Sequence, residues 1–540
     1  MSHFKPFLHQ SVRCTAFLGL ALAVAAQSQV LFTPPANLSN DGKAGNQQIA
    51  IDPSGNINVV WLDNTPGFTA VFFSRSSDGG ATFSSPQNIS NNQADLGGPP
   101  QIAVDSTGNI YVAWLGPGGT PDIFFTGSSD GGATFSAPMI ISNQPSGGAR
   151  GPSMAVDSGG NINVVWWGAF APRILFLSRS SDGGATFSTP VSVSTSGDAL
   201  DGQVAVDSGG NINAVWCEGL TGNFQVTYSR SVDGGASFAA PKTISTFASD
   251  TCKPVMALDP AGNIYVAWDT QPFGDIYVSS SIDGGATFSV TDITNKTAIA
   301  NSGGERITTD LNGNIYVVWV QNPSGDNHTY LFLSQSSDEG SAFSTPHNLS
   351  SNLGGADEAQ IATGLDSSIN IVWQDNASGN RQIFFTQSSD GGSTFSTPQN
   401  LSNDSGAGNP VIAMDPTSNV NVLWADNTSG SNNDVFFSRS EPPPTVTSLT
   451  LDPASVLGGP LGSSTGTVTL SGPAPAGGAQ VALFSSNLSA ATVPGTVTVP
   501  AGATSATFTV NTSVVVISAS VTISASYNTT TQSANLDILL

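Results

Sequence analysis

Basic residues are scarce in this chain, and one arginine stands out as a candidate for ligand binding. The 540 residues contain 14 lysines and arginines against 38 aspartates and glutamates. Arg306 occupies a position where similar segments of the chain have glutamine, namely Gln48, Gln101, Gln203 and Gln360. A guanidinium can bind a carboxylate through two parallel hydrogen bonds. Arg306 is therefore a candidate for holding an acidic ligand, and the alternative is an ion pair with the adjacent Glu305.

Carboxylates are the second group that could do chemistry. Those in or beside variable segments are Glu218, Asp269, Asp275, Glu305, Asp357, Glu358, Asp375 and Asp426. Two carboxyl groups roughly 5–10 Å apart can serve as the acid and base of glycoside hydrolysis. The same abundance fits a solvated acidic rim, which we favour. The four histidines show no metal-ligand spacing, so we predict no metal site from them.

The elements that must position these side chains repeat along the chain. The motif Ser-x-Asp-x-Gly-x-x-Phe first occurs at Ser76–Phe83 and is present in seven copies. Its aspartates are Asp78, Asp130, Asp182, Asp233, Asp283, Asp338 and Asp390. An aspartate can accept hydrogen bonds from its own turn, and glycine permits positive φ. We interpret the motif as a structural turn; direct calcium binding is the alternative.

A strand that ends in tryptophan is the second repeated feature. Its eight copies end at Trp61, Trp114, Trp166, Trp216, Trp268, Trp319, Trp373 and Trp424. Each unit fits four short strands, A to D: strand A, an Asp-x-x-x-Asn turn, the tryptophan strand B, strand C, the Ser-x-Asp turn and strand D. Four antiparallel strands in about 50 residues are typical of a propeller blade.

Closure of the ring is also predicted. The eighth unit has strands A, B and C but no Ser-x-Asp turn and no strand D. The segment LFTPPANLSN, from Leu31 to Asn40, resembles the strand D sequence FSTPQNLSN that begins at Phe395. The all-β fold class we predict is an eight-bladed β-propeller of four-stranded blades, closed by the N-terminal strand.

The repeated motif resembles the Asp-box, or BNR repeat, of sialidases and their relatives, over roughly residues 31–440. The resemblance implies that the Asp-box is a hairpin between strands C and D, opposite the ligand face. Sialidases grip the substrate carboxylate with an arginine triad that includes an Arg-Ile pair at the start of an inner strand. Arg306-Ile307 fits, although Thr308 stands where the family usually has proline.

The resemblance also implies a tyrosine nucleophile with a glutamate partner and an aspartate acid/base. Tyr330 is the tyrosine that lies near a loop of the repeat region; the others fit packing positions. The candidate catalytic residues are Arg306, Arg150, Arg381, Tyr330, Glu218 and Glu358. The repeats contain no long catalytic insertion, which favours a protein without catalytic activity.

The ends of the chain indicate export and a second domain. Residues 1–26 fit a signal peptide, with an apolar run from Ala16 to Ala26. Residues 31–440 form the propeller, 441–444 a proline linker, and 445–540 a strand-rich segment that resembles bacterial Ig-like β-sandwiches. After the signal, Cys217 and Cys252 remain, as a disulfide or as two partly buried thiols.

The net charge of −24 argues against nucleic acid as a partner. No further segment is apolar and long enough for a transmembrane helix. The leading hypothesis is a secreted, extracellular or periplasmic protein that binds, and in one version hydrolyses, an extracellular glycan or other polymer on the face of the D–A and B–C loops. The alternatives are an exo-sialidase or related glycoside hydrolase, and a non-catalytic scaffold. No cofactor is predicted, with calcium as the alternative; the sequence does not indicate the oligomeric state.

Overall fold

The computed structural model describes residues 30–91, 98–117, 120–143, 148–195, 198–219, 223–246, 252–270, 274–294, 301–322, 328–350, 354–402, 406–427, 433–442, 444–460, 462–475, 477–528 and 530–540. The predicted signal peptide, residues 1–26, lies outside this part of the chain. The described residues are all-β and form no helix, so none of their segments is a helix able to cross a membrane.

Residues 31–441 form eight antiparallel sheets, called sheets 1 to 8 in the chain order of their innermost strands. The innermost strands, strands A, are Ala44–Ile51, Gln101–Val104, Ala149–Val156, Ala199–Val206, Val255–Leu258, Asn301–Thr309, Asp357–Thr363 and Gly408–Met414. Strands B, which carry the repeated tryptophans, are Ile57–Asp63, Ile110–Leu115, Ile162–Gly168, Ile212–Glu218, Ile264–Thr270, Ile315–Asn322, Ile369–Asp375 and Val420–Asp426.

The two outer strands of each sheet follow in chain order. Strands C are Ala70–Ser76, Ile123–Ser128, Leu175–Ser180, Gln225–Ser231, Asp275–Ser281, Tyr330–Ser336, Gln382–Ser388 and Asp434–Glu441. Strands D of sheets 1 to 7 are Gln87–Asn88, Met139–Ile140, Val191–Ser192, Lys242–Thr243, Ser289–Asp292, His347–Asn348 and Gln399–Asn400. Most strands D are only two residues long, because the segment before them contains a proline, such as Pro86, that cannot donate to a ladder.

The sheets follow one another in a ring. Each strand A contacts the strand A of the next sheet, and that of sheet 8 contacts that of sheet 1. Apolar side chains fill the space between neighbours, and the cluster around Ile57 and Trp61 of sheet 1 includes Val435 and Phe437 of sheet 8. All eight repeated tryptophans are at most 1% exposed. Burial of both faces explains why strands B read as nearly continuous apolar runs.

The N-terminal segment completes sheet 8, as the sequence predicts. Leu31–Phe32 and Ala36–Asn37 both pair antiparallel with Asp434–Glu441, with Leu31 opposite Glu441 and Ala36 opposite Phe437. The Asp434 carboxylate accepts hydrogen bonds from Asn37 Nδ2 and Ser39 Oγ, each at 2.9 Å, and from the Gly42 amide at 2.7 Å. Burial raises the pKa of Asp434, but these hydrogen bonds outweigh it and lower the pKa overall. The carboxylate thus fastens the two ends of the ring.

The Asp-box turns satisfy their own polar groups. Asp78 accepts hydrogen bonds from Ser76 Oγ at 2.8 Å, Thr82 N at 2.9 Å and Thr82 Oγ1 at 2.6 Å. The bonds from Thr82, followed by that from Ser76, lower the pKa of Asp78 to about 2. Gly79 and Gly80 have φ of 70° and 86°. The turn therefore uses its carboxylate internally.

In four sheets an arginine of strand C lies against the Asp-box turn of the next sheet. Arg230 pairs with Asp207 of its own sheet and donates to the Gly284 carbonyl oxygen of the next at 2.7 Å. Arg439 likewise pairs with Asp415 of its own sheet and donates a hydrogen bond to the Gly79 carbonyl oxygen of sheet 1. Arg75 and Arg179 pair with Asp52 and Asp157. These four side chains are only 19–26% exposed, because each lies between two turns.

Cys217 and Cys252 form a disulfide, with their Cα atoms 5.9 Å apart. Cys217 lies in strand B of sheet 4, and Cys252 precedes strand A of sheet 5. Both belong to one buried cluster with Phe224 and Trp268. The bond therefore links two neighbouring sheets.

The C-terminal segment forms two further sheets on a common core. Sheet 9 contains, in order across the sheet, Val446–Asp452, Ser463–Leu470, Ser505–Thr512 and Ala491–Thr492. Sheet 10 contains Ser455–Leu457, Thr530–Leu539, Ala519–Tyr527, Ala479–Ser485 and Thr496–Val499. Val468 and Val510 of sheet 9 and Val521 and Leu536 of sheet 10 are all fully buried in this core.

Candidate functional site

A cavity of about 620 Å³ lies at one mouth of the ring. We call it the mouth cavity. Arg306 lines it together with the four glutamines that share its position in the repeat: Gln48, Gln101, Gln203 and Gln360. Each of these residues lies near the start of a strand A. The cavity is therefore built from corresponding positions of different repeats.

A β-bulge near the start of strand A aims these side chains. In sheet 6 the register with strand B shifts between Gly303 and Arg306, and Gly304 has a φ of 65°. Sheets 1, 3, 4, 7 and 8 shift at the corresponding place. The extra residue bends the strand and changes the direction of the next side chains. In sheet 6 the second bulge residue, Glu305, is only 3% exposed, and the next residue, Arg306, lines the cavity.

Arg306 is held by two hydrogen bonds within the cavity wall. Its Nη1 donates to the main-chain oxygen of Glu305 at 2.8 Å, and its Nε donates to Gln360 Oε1 at 3.4 Å. Burial lowers the pKa of Arg306, and the nearby Glu305 and Glu358 oppose that effect. These bonds use two of the five guanidinium N–H donors. The hydrogen bond from Arg306 goes to the carbonyl oxygen of Glu305 and not to its carboxylate, so it is not the ion pair considered from the sequence.

Glu305 is a buried carboxyl group behind this wall. Burial, followed by the negative charge of Asp269, raises the pKa of Glu305 to about 8. Its Oε1 atom is buried without a hydrogen-bond partner among the residues described. The equivalent residues of sheets 3, 4 and 7 are Pro152, Gly202 and Ala359, and that of sheet 1 is the uncharged Gln47. Glu305 is therefore largely protonated at neutral pH, which leaves Arg306 free of a neutralising carboxylate at that position.

Trp167 also lines the mouth cavity, although it was not among the candidate residues predicted from the sequence. Its ring lies against Gly151, where an added Cβ would be 1.8 Å from the ring, and Gly151 has a φ of 56°. Eight of the nine tryptophans occupy the repeated strand position, whereas Trp167 follows Trp166 directly. That departure from the repeat was the available signal. A half-buried indole on a cavity wall provides a flat apolar surface for a ligand.

The charged side chains that line the mouth cavity are mostly basic. Arg306 and Lys253 line the cavity, and Asp201 is the carboxylate in the described lining. Burial raises the pKa of Asp201, and the charge of Lys253 opposes the rise. The lining therefore carries more positive than negative groups in a chain whose net charge is −24.

The other candidate catalytic residues do not line the mouth cavity. Glu358 lies close enough to influence Arg306, and its Oε2 accepts from the Asn409 amide at 2.8 Å. Arg150 is exposed and pairs across the strands with Trp167. Arg381 is exposed and directly precedes strand C of sheet 7. Tyr330 begins strand C of sheet 6, which is separated from the innermost strand A by strand B.

Glu218 is held by a buried tryptophan. It accepts a hydrogen bond from Trp216 Nε1, and burial raises its pKa. It ends strand B of sheet 4 and is absent from the described lining. The described lining likewise contains no tyrosine. Of the six candidates, the cavity therefore contains Arg306 alone.

The described part of the chain contains no cluster of side chains suited to hold a metal ion. No group of three or more His, Cys, Asp or Glu residues there is arranged to hold an ion. The Asp-box carboxylates accept hydrogen bonds from their own turns, as the pKa of about 2 for Asp78, Asp130, Asp182 and Asp233 reflects.

Comparison with known proteins identifies the repeat. Residues 160–362 match the BNR repeat-like domain family. This match confirms the predicted resemblance for sheets 4 to 6 and for parts of sheets 3 and 7. No curated protein matches the chain.

Several solved structures are similar at low identity. A protein of unknown function from Dyadobacter fermentans shares 17% identity, with 57% of this chain and 98% of that one covered and a TM-score of 0.38. A polysaccharide lyase of family PL25, an ulvan lyase, shares 14% identity, with 75% of this chain and 95% of that one covered and a TM-score of 0.46. The NanB sialidase of Streptococcus pneumoniae shares 12%, with 76% and 92% covered and a TM-score of 0.37.

Proposed function

We propose that this chain, which carries BNR repeats, is a secreted glycan-binding protein whose eight sheets are the blades of a β-propeller. The ligand occupies the mouth cavity. The observation that carries this proposal is the lining, in which Arg306, Lys253 and Trp167 accompany four glutamines. Amide and guanidinium groups hydrogen-bond to sugar hydroxyls, and an indole packs against the apolar face of a sugar ring.

The preferred ligand is an acidic glycan. The excess of positive charge in the lining opposes the overall field of the protein and favours an anionic group there. Arg306 retains N–H donors for a carboxylate, and a protonated Glu305 does not compete for them. Trp167 and the glutamines would then contact the neutral parts of the sugar.

Binding without hydrolysis is the version that the site supports best. Acid/base hydrolysis of a glycoside needs two carboxyl groups on either side of the bond. Asp201 is the carboxylate in the described lining, and Tyr330, Glu218 and Glu358 are not part of it. The exo-sialidase hypothesis and the non-catalytic scaffold remain as outcomes of the test.

The test combines a glycan array with a panel of fluorogenic sialosides, both offered to the purified protein. We expect binding of carboxylated glycans without turnover, and at least a tenfold loss of affinity in Arg306→Ala and in Trp167→Ala. Arg381→Ala is the matched control, because Arg381 is exposed and lies outside the lining. Turnover that Arg306→Ala abolishes would instead support a hydrolase. Silence in both assays would support a scaffold.

Secretion and the identity of the C-terminal domain belong to the same proposal. Residues 1–26 would be removed on export, and N-terminal sequencing of the exported protein tests this. We assign sheets 9 and 10 to an Ig-like β-sandwich because nine strands in two sheets share one buried core.

A further inference from the structure

An exposed apolar surface lies at one end of sheets 9 and 10, and we call it the apolar tip. It comprises Leu457, Val514, Val516, Ile517 and Leu539, with exposed fractions of 65, 74, 88, 76 and 45%. Four consecutive aliphatic residues, 514–517, occupy the loop between Ser505–Thr512 and Ala519–Tyr527. Turns usually consist of Gly, Pro, Asn, Asp and Ser. The turn itself therefore does not account for this composition.

Three separate chain segments form the tip as one continuous surface. Leu457 and Leu539 are partners in a parallel strand pair. The Gly458 amide donates to the Leu539 carbonyl oxygen at 2.8 Å. A Cβ at Gly458 would lie 3.1 Å from Val515 Cγ2, and one at Gly459 would lie 3.6 Å from Val514 Cγ2, so the loop packs against this edge. Monomeric soluble proteins rarely expose contiguous apolar patches larger than a few hundred Å², and larger ones mark interaction sites.

The charge distribution indicates what covers the tip. Residues 445–540 contain no Lys, Arg, His or Glu, and their two aspartates are Asp452 and Asp537. Nearly all of the net charge of −24 therefore lies in the preceding part of the chain. Without a basic residue, the tip has no attraction for anionic lipid headgroups. Two copies that meet at this nearly uncharged end would bury aliphatic surface without bringing acidic ring surfaces into contact.

We propose that the apolar tip is a self-association surface that binds the tip of a second copy of this chain. Five aliphatic side chains offer less area than the roughly 800 Å² that each partner buries in a standard stable complex. The dimer is consequently weak and depends on concentration. This inference is independent of the ligand of the mouth cavity.

Sedimentation velocity of the full chain tests the proposal over a concentration range up to several hundred micromolar. We expect a monomer–dimer equilibrium that Val516→Asp and Ile517→Asp each weaken at least tenfold. Val232→Asp is the matched control, because Val232 is 76% exposed but lies in an Asp-box turn of the ring. All three sites are exposed, and circular dichroism verifies that each variant is folded.

Three outcomes would overturn the proposal. One is a monomer at every concentration. Another is a dimer that both loop variants retain. The third is binding to vesicles of phosphatidylcholine, with or without phosphatidylglycerol, that the loop variants lose while the chain stays monomeric; the occupant would then be a bilayer surface.

Discussion

The guanidinium of Arg439 donates a hydrogen bond to the carbonyl oxygen of Gly79 at 3.0 Å, although the two residues are 360 positions apart in the chain. Arg439 belongs to sheet 8 and Gly79 to the Asp-box turn of sheet 1. The same guanidinium pairs with Asp415, so one side chain connects both ends of the ring. The repeat places an arginine at this position of four sheets: Arg75, Arg179, Arg230 and Arg439.

Replacement of this arginine should destabilise ring closure. We expect Arg439→Ala to lower the free energy of unfolding by about 1–3 kcal/mol, since a hydrogen bond from a charged donor is lost and Asp415 loses its partner. Urea denaturation monitored by tryptophan fluorescence measures the change. The exposed Arg381→Ala should stay within about 0.5 kcal/mol of the wild type. Equal stability of both variants would show that the contact contributes nothing to closure.

The disulfide between sheets 4 and 5 should contribute more than any single hydrogen bond. Its cysteines are 35 residues apart, and the loop-entropy relation for a loop of this size gives roughly 4 kcal/mol. We expect the double variant Cys217→Ser/Cys252→Ser to unfold at a clearly lower temperature than the wild type. Differential scanning calorimetry with and without reductant checks this. Reductant should leave the midpoint of the double variant unchanged, and an effect there would point to another cause.

The buried Glu305 should make stability depend on pH. Because its pKa is raised to about 8, the folded state binds its proton more tightly than the unfolded chain does. The associated stability is complete below the unfolded pKa of about 4.3 and decreases as pH rises through about 8. Glu305→Gln mimics the protonated form, so its unfolding midpoint should exceed that of the wild type increasingly between pH 5 and 9. A constant difference between the two midpoints across that range would contradict the burial argument.

Trp167 should account for most of the solvent-accessible tryptophan fluorescence. The eight repeated tryptophans are at most 1% exposed, whereas Trp167 lines the mouth cavity. We expect acrylamide to quench a small fraction of wild-type emission and Trp167→Phe to remove most of that fraction. A bound glycan should protect the same fraction in the wild type. Unchanged quenching in Trp167→Phe would mean that the indole is not accessible from the cavity.

Much of the ring could be predicted from the sequence because the same order of strands and turns recurs in each repeat. The tryptophan strands and Asp-box turns recur often enough to outweigh local ambiguity. The resemblance between Leu31–Asn40 and the segment from Phe395 predicted the pairing with Asp434–Glu441. Strands D were less predictable in length, because prolines and loop geometry limit their ladders to two residues in most sheets.

The site was less predictable than the scaffold. The glutamines and Arg306 were identified because they share one position of the repeat. The β-bulges were not anticipated, since residues other than glycine, such as Asn46 and Asp201, adopt φ values of 53° and 50° there. Trp167 was overlooked because it does not belong to the repeat. Residues that depart from the repeat for function, such as Trp167, cannot be predicted from the periodicity alone.

The hydrogen bonds around Asp434 have a consequence for biosynthesis. Its partners Asn37, Ser39 and Gly42 leave the ribosome almost 400 residues earlier. Throughout that interval the first segment has no strand to join, and sheet 1 has no neighbour on one side. Such delayed pairing slows maturation and leaves nascent edges open to aggregation. Asp434 can accept these hydrogen bonds and close the ring only when the last repeat has been synthesised.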